Sequence, residues 1–202
     1  MPPVLSSSAA VLKQFCFARN ARFLAPSQSL PRPKGILKAG GVGDGKVLVW
    51  CTIDGKWSGD KAAEFYKDAV QPVLKTHYPL KRKFCILEDN DPTGNQSKKG
   101  LQSKLDAKLE VLRIPKRSPD LNVLDFAVWS EVERRMRKQE KKWPASKRET
   151  RKAFERRLAR TAKNLPEEFD HKSIGDLKRR CERLVEATGG LFEEGGRSRR
   201  PL

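Results

Sequence analysis

A short apolar run near the middle of the chain most constrains its fold. The residues Phe84–Leu87 follow one another without a polar interruption, and the run ends at Glu88 and Asp89. An uninterrupted apolar strand is typical of a parallel sheet covered on both faces, whereas a strand with one exposed face alternates with polar residues. We therefore expect a buried strand with acidic residues at its carboxyl end, inside a mixed α/β fold.

Segments with strand and helix patterns lie on both sides of this run. The run Lys46–Ile53 is strand-like, and the turn signal Asp54-Gly55 that follows predicts a β-hairpin. Apolar residues between positions 60 and 78 recur at helical spacing, with Pro72 able to kink the helix. The alternation of strands and helices indicates a mixed sheet flanked by helices.

The charge of the chain restricts its partners. It carries 43 Lys and Arg against 25 Asp and Glu, a formal net charge of +18, which favours a polyanionic partner. No apolar stretch approaches the roughly 18 residues that a membrane-spanning helix needs, so no membrane partner is expected. Four cysteines lie far apart without a CxxC pair, which argues against a zinc ribbon or a disulfide scaffold.

Composition divides the chain into four parts. Residues 1–43 contain basic residues but no acidic one, which predicts a disordered leader and is also compatible with a targeting peptide. Residues 44–140 are predicted to form an α/β domain, and residues 141–191 to add charged helices that complete it. Residues 192–202 are predicted to be a disordered basic tail.

Two acidic residues are candidates for one metal site. Asp89 comes directly after the buried strand, and Asp125 lies in the first turn of a later helix that Asn122 is expected to cap. Carboxylate oxygens are ligands that Mg²⁺ prefers, and paired ions about 4 Å apart act on phosphodiesters in two-metal sites. Taken alone, the residues leave a structural alternative open, in which each acid serves only a turn or a helix dipole.

Two motifs resemble a known family. The segment SPDLNVLDFAVW at 118–129 is similar to the SPDLNPIE-x-x-W signature of mariner-like transposases, and LEDNDP at 87–92 resembles their QDNDP strand. VLVWCTIDGKWSG and IGDLKRRCERLVEATGG are similar to two weaker family motifs, so the resemblance spans about residues 46–191. Membership of this DDE superfamily implies an RNase H-like mixed sheet flanked by helices, incomplete at the N-terminus, with a basic helical C-terminal region.

The resemblance also implies a chemistry. Asp89 matches the second catalytic acid of the family and Asp125 the third, so the pair would bind Mg²⁺ or Mn²⁺ for DNA nicking and strand transfer. The first aspartate of the family lies on an upstream strand, but residues 1–43 contain no acid, and this ligand is missing. Gly94 stands where many relatives carry His. We expect a truncated, transposon-derived DNA-binding protein with two of three metal carboxylates and defective cleavage; the alternative is a noncatalytic nucleic-acid-binding protein.

Basic residues follow or precede both acids along the chain and are the expected DNA contacts. The alternative is that they line solvated helix faces in i,i+4 ion pairs. Expected partners are DNA and, left open by the sequence, a second copy of the chain; no small-molecule substrate is expected. DNA chemistry implies the nucleus, while the acid-free leader keeps the mitochondrion as a competing location. The predicted DNA contacts are Lys98, Lys99, Lys104, Lys116, Arg117, Arg134, Arg135, Arg137 and Lys138.

Overall fold

One five-stranded sheet organises the protein. The strands are β1 (Cys16–Phe17), β2 (Leu37–Gly43), β3 (Lys46–Ile53), β4 (Phe84–Glu88) and β5 (Leu109–Arg113). Their order across the sheet is β3-β2-β1-β4-β5, with β1, β4 and β5 parallel to one another and β2 antiparallel to both of its neighbours. The computed structural model describes residues 16–17, 37–89, 91–115, 118–144, 147 and 149–188.

The predicted buried strand is confirmed. The run Phe84–Leu87 forms β4, which has a parallel neighbour on each side. Ile86 is fully buried on one face of the sheet, and Leu87 packs into the apolar cluster on the other. Because both faces of β4 are covered, the strand needs no alternating polar residues.

The observed β-hairpin turns at Asp44 and Gly45, not at the predicted Asp54 and Gly55. β2 and β3 pair around Asp44 and Gly45, whose φ angles of 53° and 71° fit a two-residue hairpin turn with positive φ at both central positions. Asp54 and Gly55, the predicted hairpin turn, instead follow the end of β3. Glycine is depleted in strands, so the glycine-rich residues of β2 carried no strand signal.

The sheet reaches further toward the N-terminus than the composition indicated. β1 and β2 both lie upstream of residue 44, where the α/β domain was predicted to begin, and Cys16 in β1 pairs with both β2 and β4. Strand pairing depends on backbone hydrogen bonds, so the acid-free composition of residues 1–43 is no obstacle to it. The described residues do not include 1–15 and 18–36, which flank β1, or the predicted tail at 192–202.

Helices cover both faces of the sheet. The predicted kink near Pro72 coincides with a π-helical segment just before it, where the proline has no N–H for a regular helical hydrogen bond. No helix in the described ranges is long and apolar enough to cross a membrane. The helical elements are α1 (Gly59–Glu64), a π-helical segment (Phe65–Val70), α2 (Gln71–His77), α3 (Lys98–Asp106), a 3₁₀ turn (Pro119–Leu121), a second π-helical segment (Leu124–Val128), α4 (Trp129–Glu140), α5 (Arg151–Lys163) and α6 (Glu167–Glu186).

Two apolar clusters lie on opposite faces of the sheet. The first joins the sheet to α4, α5 and α6 and includes Trp50 and Leu158. The second joins the sheet to the helices between β3 and β4 and includes Leu74 and Ile86. The predicted mixed α/β architecture, with a sheet between helices, is therefore confirmed.

Candidate metal centre and nucleic-acid surface

The two predicted carboxylates come from neighbouring parts of the fold. Asp89 directly follows the last residue of β4, and Asp125 lies in the π-helical segment that leads into α4. The helix begins where expected, since the Asn122 side chain accepts a hydrogen bond from the backbone N–H of Leu124 at 3.1 Å. The end of β4 and the start of this helix thus present the two acids to each other.

The charges of the two acids interact. Burial, and to a smaller extent the negative charge of Asp89, raise the pKa of Asp125 to about 7. The nearby indole N–H of Trp129 opposes the shift, although in the described structure it completes no hydrogen bond. Two carboxyl groups that repel each other in a partly buried site are the arrangement that a cation would relieve.

A hydrogen-bonded loop orients Asp89. The side-chain amide of Asn95 donates to Oδ1 of Asp89 at 2.6 Å, and the backbone N–H of Asp91 is directed at the same oxygen at 3.4 Å. Asp91 itself accepts from the Thr93 hydroxyl and, at 2.8 Å, from the backbone N–H of Gly94. Asp91 therefore shapes the loop, while Asn95 positions the candidate ligand.

Gly94 lies against a tryptophan. A Cβ placed on this residue would lie 2.0 Å from Nε1 of Trp57, which is buried and packs edge-on against Phe65. Trp57 fills the space that a side chain at position 94 would need. The packing of Trp57 after β3 therefore leaves no space for the histidine that many mariner-like transposases carry at this position.

Glu88 belongs to a separate, buried network. Its carboxylate accepts a hydrogen bond from the Tyr66 hydroxyl at 2.5 Å and forms an ion pair with Lys104. Lys104 also donates to the backbone carbonyl of Asn95 at 2.8 Å. Burial raises the pKa of Glu88, and the charge of Lys104 opposes that shift. Glu88 is therefore engaged away from the two candidate ligands, as the alternation of side chains along a strand predicts.

The prediction that Lys104 contacts DNA is wrong. Its side chain is only 3% exposed and is held by Glu88 and the Asn95 carbonyl, so it does not reach the surface. A charged residue is buried in this way only when it is paired and hydrogen-bonded. The error arose because the sequence of α3 does not reveal that Lys104 faces the carboxylate of Glu88 at the end of β4.

The remaining predicted DNA contacts differ in how available their charges are. Lys99 pairs with Asp60 at 2.5 Å, and Arg134 and Arg135 both bind Glu131. Glu131 has its pKa lowered to about 2, chiefly by the hydrogen bond from Arg134. Arg137 pairs with Glu133, Lys98 and Lys138 are exposed, and Lys116 and Arg117 lie outside the described residues. The ion-paired alternative thus describes most of α4.

The donor set fits one divalent cation. Asp89 and Asp125 supply hard oxygen ligands, which suit Mg²⁺ or Mn²⁺ with waters completing the coordination. Within the described ranges no group of three His, Cys, Asp or Glu side chains could hold a metal ion. β1 occupies the centre of the sheet beside β4, yet Cys16, Phe17 and the rest of residues 1–43 include no carboxylate. The two residues of β1 therefore add no carboxylate to Asp89 and Asp125.

The fold belongs to a recognisable class. No family model matches the chain, and no curated protein is significantly similar to it in sequence. Solved structures do match: the mixed five-stranded sheet with helices on both faces is an RNase H-like fold.

Several structures of the mariner transposase Mos1 share this fold. Its catalytic domain superposes with a TM-score of 0.71 at 15% identity, covering 92% of this chain and 87% of that domain. The same domain with raltegravir and Mn gives 0.71 at 14% identity, with 92% and 88% covered. The Mos1 paired-end complex with the left transposon end gives 0.72 at 15% identity, covering 92% of this chain but 58% of that longer chain. The predicted fold class, and the resemblance to mariner-like transposases at the level of fold, are confirmed.

Sequence reasoning missed Asn95. The residue lies six positions after Asp89 in a loop of turn-forming residues, and its amide carried no signal that it would face the carboxylate. Its burial, at 4% exposure, follows from the contact that its own carbonyl makes with Lys104. A hydrogen-bond partner of this kind is a property of the folded loop.

Proposed function

We propose that the protein binds DNA with the catalytic fold of a DDE transposase, and that Asp89 and Asp125 hold a divalent cation at the DNA backbone. The observation that carries the proposal is the electrostatic interaction between these two acids, at the end of β4 and the start of the helix into α4, in a fold shared with Mos1. The net charge of +18 supports a polyanionic partner.

The structures of the neighbours support the choice of metal and partner. The Mos1 catalytic domain has been solved with Mn and with Mg, and Mos1 has been solved in paired-end complexes with transposon ends. A divalent cation between two carboxylates would polarise a phosphodiester and neutralise the charge that develops on it. With two carboxylates instead of three, we expect binding of one ion and cleavage that is slow or absent.

A second candidate function is noncatalytic nucleic-acid binding. It is favoured by the finding that, in the described part of the chain, no group of three His, Cys, Asp or Glu side chains could hold a metal ion. In this case the basic surface of the fold acts by itself, and the two acids contribute to structure alone. Binding would then depend on salt but not on the divalent ion.

Metal binding separates the two candidates. Isothermal titration with Mn²⁺ should detect one site in the wild type and none in Asp89→Asn or Asp125→Asn, while the exposed control Asp68→Asn keeps the site. Nicking of supercoiled DNA in Mg²⁺ is measured on the same four proteins, and any nicking should follow the metal site. Equal Mn²⁺ binding by all four proteins would refute the proposed centre. Salt-sensitive DNA binding that persists in EDTA and in both acid variants, without a Mn²⁺ site, would establish the second candidate.

The assembly and location form part of the same proposal. The paired-end complexes of Mos1 support two copies of this chain on DNA, and light scattering of the protein with and without a DNA duplex tests this. DNA binding supports a nuclear location, with the mitochondrion as the competing one. Imaging of the full chain fused to a fluorescent protein at its C-terminus, which leaves residues 1–43 free, distinguishes the two.

A further inference from the structure

The outer face of α5 is lined by basic residues. Lys152, Arg156, Arg160 and Lys163 are all exposed and follow one another at intervals of four, four and three residues, which places them on one side of the helix. At 1.5 Å per residue the row is about 16 Å long. We call these four residues the α5 stripe.

The side chains of the α5 stripe form no ion pairs within the described structure, unlike most of their neighbours. Arg151 pairs with Glu155, and Arg157 pairs with both Glu140 and Glu149. Like charges at i,i+4 destabilise a helix, so four unpaired cations in a row oppose the folding of α5. An arrangement that costs helix stability in the free protein is relieved by a partner with regularly spaced negative charges.

The stripe has a fixed direction. Phe154, Leu158 and Ala162 lie on the opposite side of α5 and are buried in the apolar cluster with α4 and the sheet. The helix therefore cannot turn its basic side toward the protein. Its four cations always face solvent, where a large partner reaches them together.

The stripe lies apart from the candidate metal centre. Thr161 of α5 contacts Gln139 near the end of α4, with 3.3 Å between Oγ1 and Nε2. Gln139 is 14 residues beyond Asp125 along a continuous helix, which corresponds to about 20 Å. The part of α5 around Thr161 therefore lies beside the end of α4 that is remote from Asp125.

We propose that the α5 stripe binds the phosphate backbone of duplex DNA. The helix presents its four cations together on one side, where they match a run of regularly spaced phosphates. The contact is to the backbone and carries no sequence information. The proposal rests on the DNA binding proposed above but not on the bound metal.

The test is a charge-matched pair of variants of the full chain. In the stripe variant Lys152, Arg156, Arg160 and Lys163 are changed to Gln. In the control variant four exposed bases on the opposite side of the sheet are changed to Gln, with the same loss of charge: Lys67, Lys75, Arg82 and Lys83. Circular dichroism checks that both variants keep the wild-type fold. Binding to a fluorescent duplex of arbitrary sequence is measured by anisotropy in EDTA at several salt concentrations.

The salt dependence gives the result. The stripe variant should lose about 0.9 of log–log slope for each phosphate contact removed, a total of about 3, and bind at least about tenfold more weakly at moderate salt. The control should keep its slope within about one contact of the wild type. Equal slopes for the two variants, or a stripe effect on RNA or an acidic peptide but not on duplex DNA, would overturn the inference while leaving wild-type DNA binding intact. Absence of DNA binding by the wild type would overturn both this inference and the proposed function.

Discussion

The fold favours the protonated, neutral form of Asp125. Burial and the charge of Asp89 raise its pKa to about 7, so the folded protein keeps this proton at pH values where the unfolded chain has lost it. Stability contributed by the proton is fully present below the unfolded pKa of about 4 and is lost as the pH rises through about 7. Near neutral pH, ionisation of Asp125 at the candidate metal centre therefore lowers the stability of the metal-free protein.

We therefore predict that Asp125→Asn stabilises the metal-free protein above pH 7. The neutral amide removes the cost of burying a charge and the repulsion by Asp89, and the gain should approach about 4 kcal/mol at most, because three pKa units correspond to this energy. Urea denaturation of wild type and variant in EDTA between pH 4 and pH 8 measures it, and the difference should grow with pH. Asp170, whose pKa burial also raises to about 7, contributes the same trend in both proteins. Parallel pH profiles for the two proteins would contradict the prediction.

Gly94 illustrates how one residue limits what a neighbour can be. A side chain there would meet the indole of Trp57, and a Cβ on Gly100 would lie 2.3 Å from the Gly94 carbonyl. The loop that follows Asp89 is therefore packed without spare space on both sides. Close packing holds Asn95 where its amide reaches Asp89, so the candidate ligand is oriented before any cation arrives.

At the scale of the elements, the buried network around Glu88 ties three of them together. Glu88 ends β4, Tyr66 lies in the first π-helical segment, and Lys104 lies on α3. An ion pair between buried groups gains little net stability, because both charges lose their hydration. Removing one partner costs more, since the other charge is then left alone in the core.

We predict that Lys104→Met destabilises the protein by about 3 to 5 kcal/mol, because it leaves Glu88 buried without its cation. The same change at exposed Lys98, on the same helix, should alter stability by less than about 0.5 kcal/mol. Urea denaturation at pH 7 measures both. The double variant Glu88→Gln with Lys104→Met should recover part of the loss, since a neutral amide still accepts the Tyr66 hydroxyl. Equal effects at positions 98 and 104 would show that the pair has no such role.

At the scale of the whole molecule, the two apolar clusters share one sheet. Trp50 and Trp129 pack edge-on, 4.9 Å apart between ring centres, in the cluster beneath α4 and α5. Ile86 faces the other cluster from β4. β4 thus supports both sides of the sheet, and loss of packing on one side is expected to weaken the other.

We predict a single cooperative unfolding transition. Tryptophan fluorescence and far-ultraviolet circular dichroism should give coincident urea curves, as expected for one domain. The test uses a Trp57→Phe background, because Trp57 lies in the same cluster as Ile86 whereas Trp50 and Trp129 lie on the other face. In that background Ile86→Ala should cost about 2 to 5 kcal/mol and should lower both midpoints equally. A fluorescence midpoint that stays in place while the dichroism midpoint falls would mean that the two faces unfold separately.

The local features of the chain were predictable because they depend on near neighbours in the sequence. The apolar run of β4, the cap at Asn122 and the positions of both acids at element ends follow from short patterns of burial and hydrogen bonding. The hairpin turn was misplaced because Asp44-Gly45 and Asp54-Gly55 carry the same signal. Only the pairing partner β2 distinguishes them.

Local sequence patterns were enough to predict the class of fold, the basic charge and the two acids, one directly after β4 and one at the start of the helix into α4. The tertiary structure decided which charges are free: Lys104 is buried against Glu88, the arginines of α4 are paired, and α5 presents its unpaired bases to solvent. It also decided that a strand without an acid, β1, lies beside β4. The physical reason is that pairing and burial depend on groups far apart in the sequence, which only the folded chain brings within a few ångströms of one another.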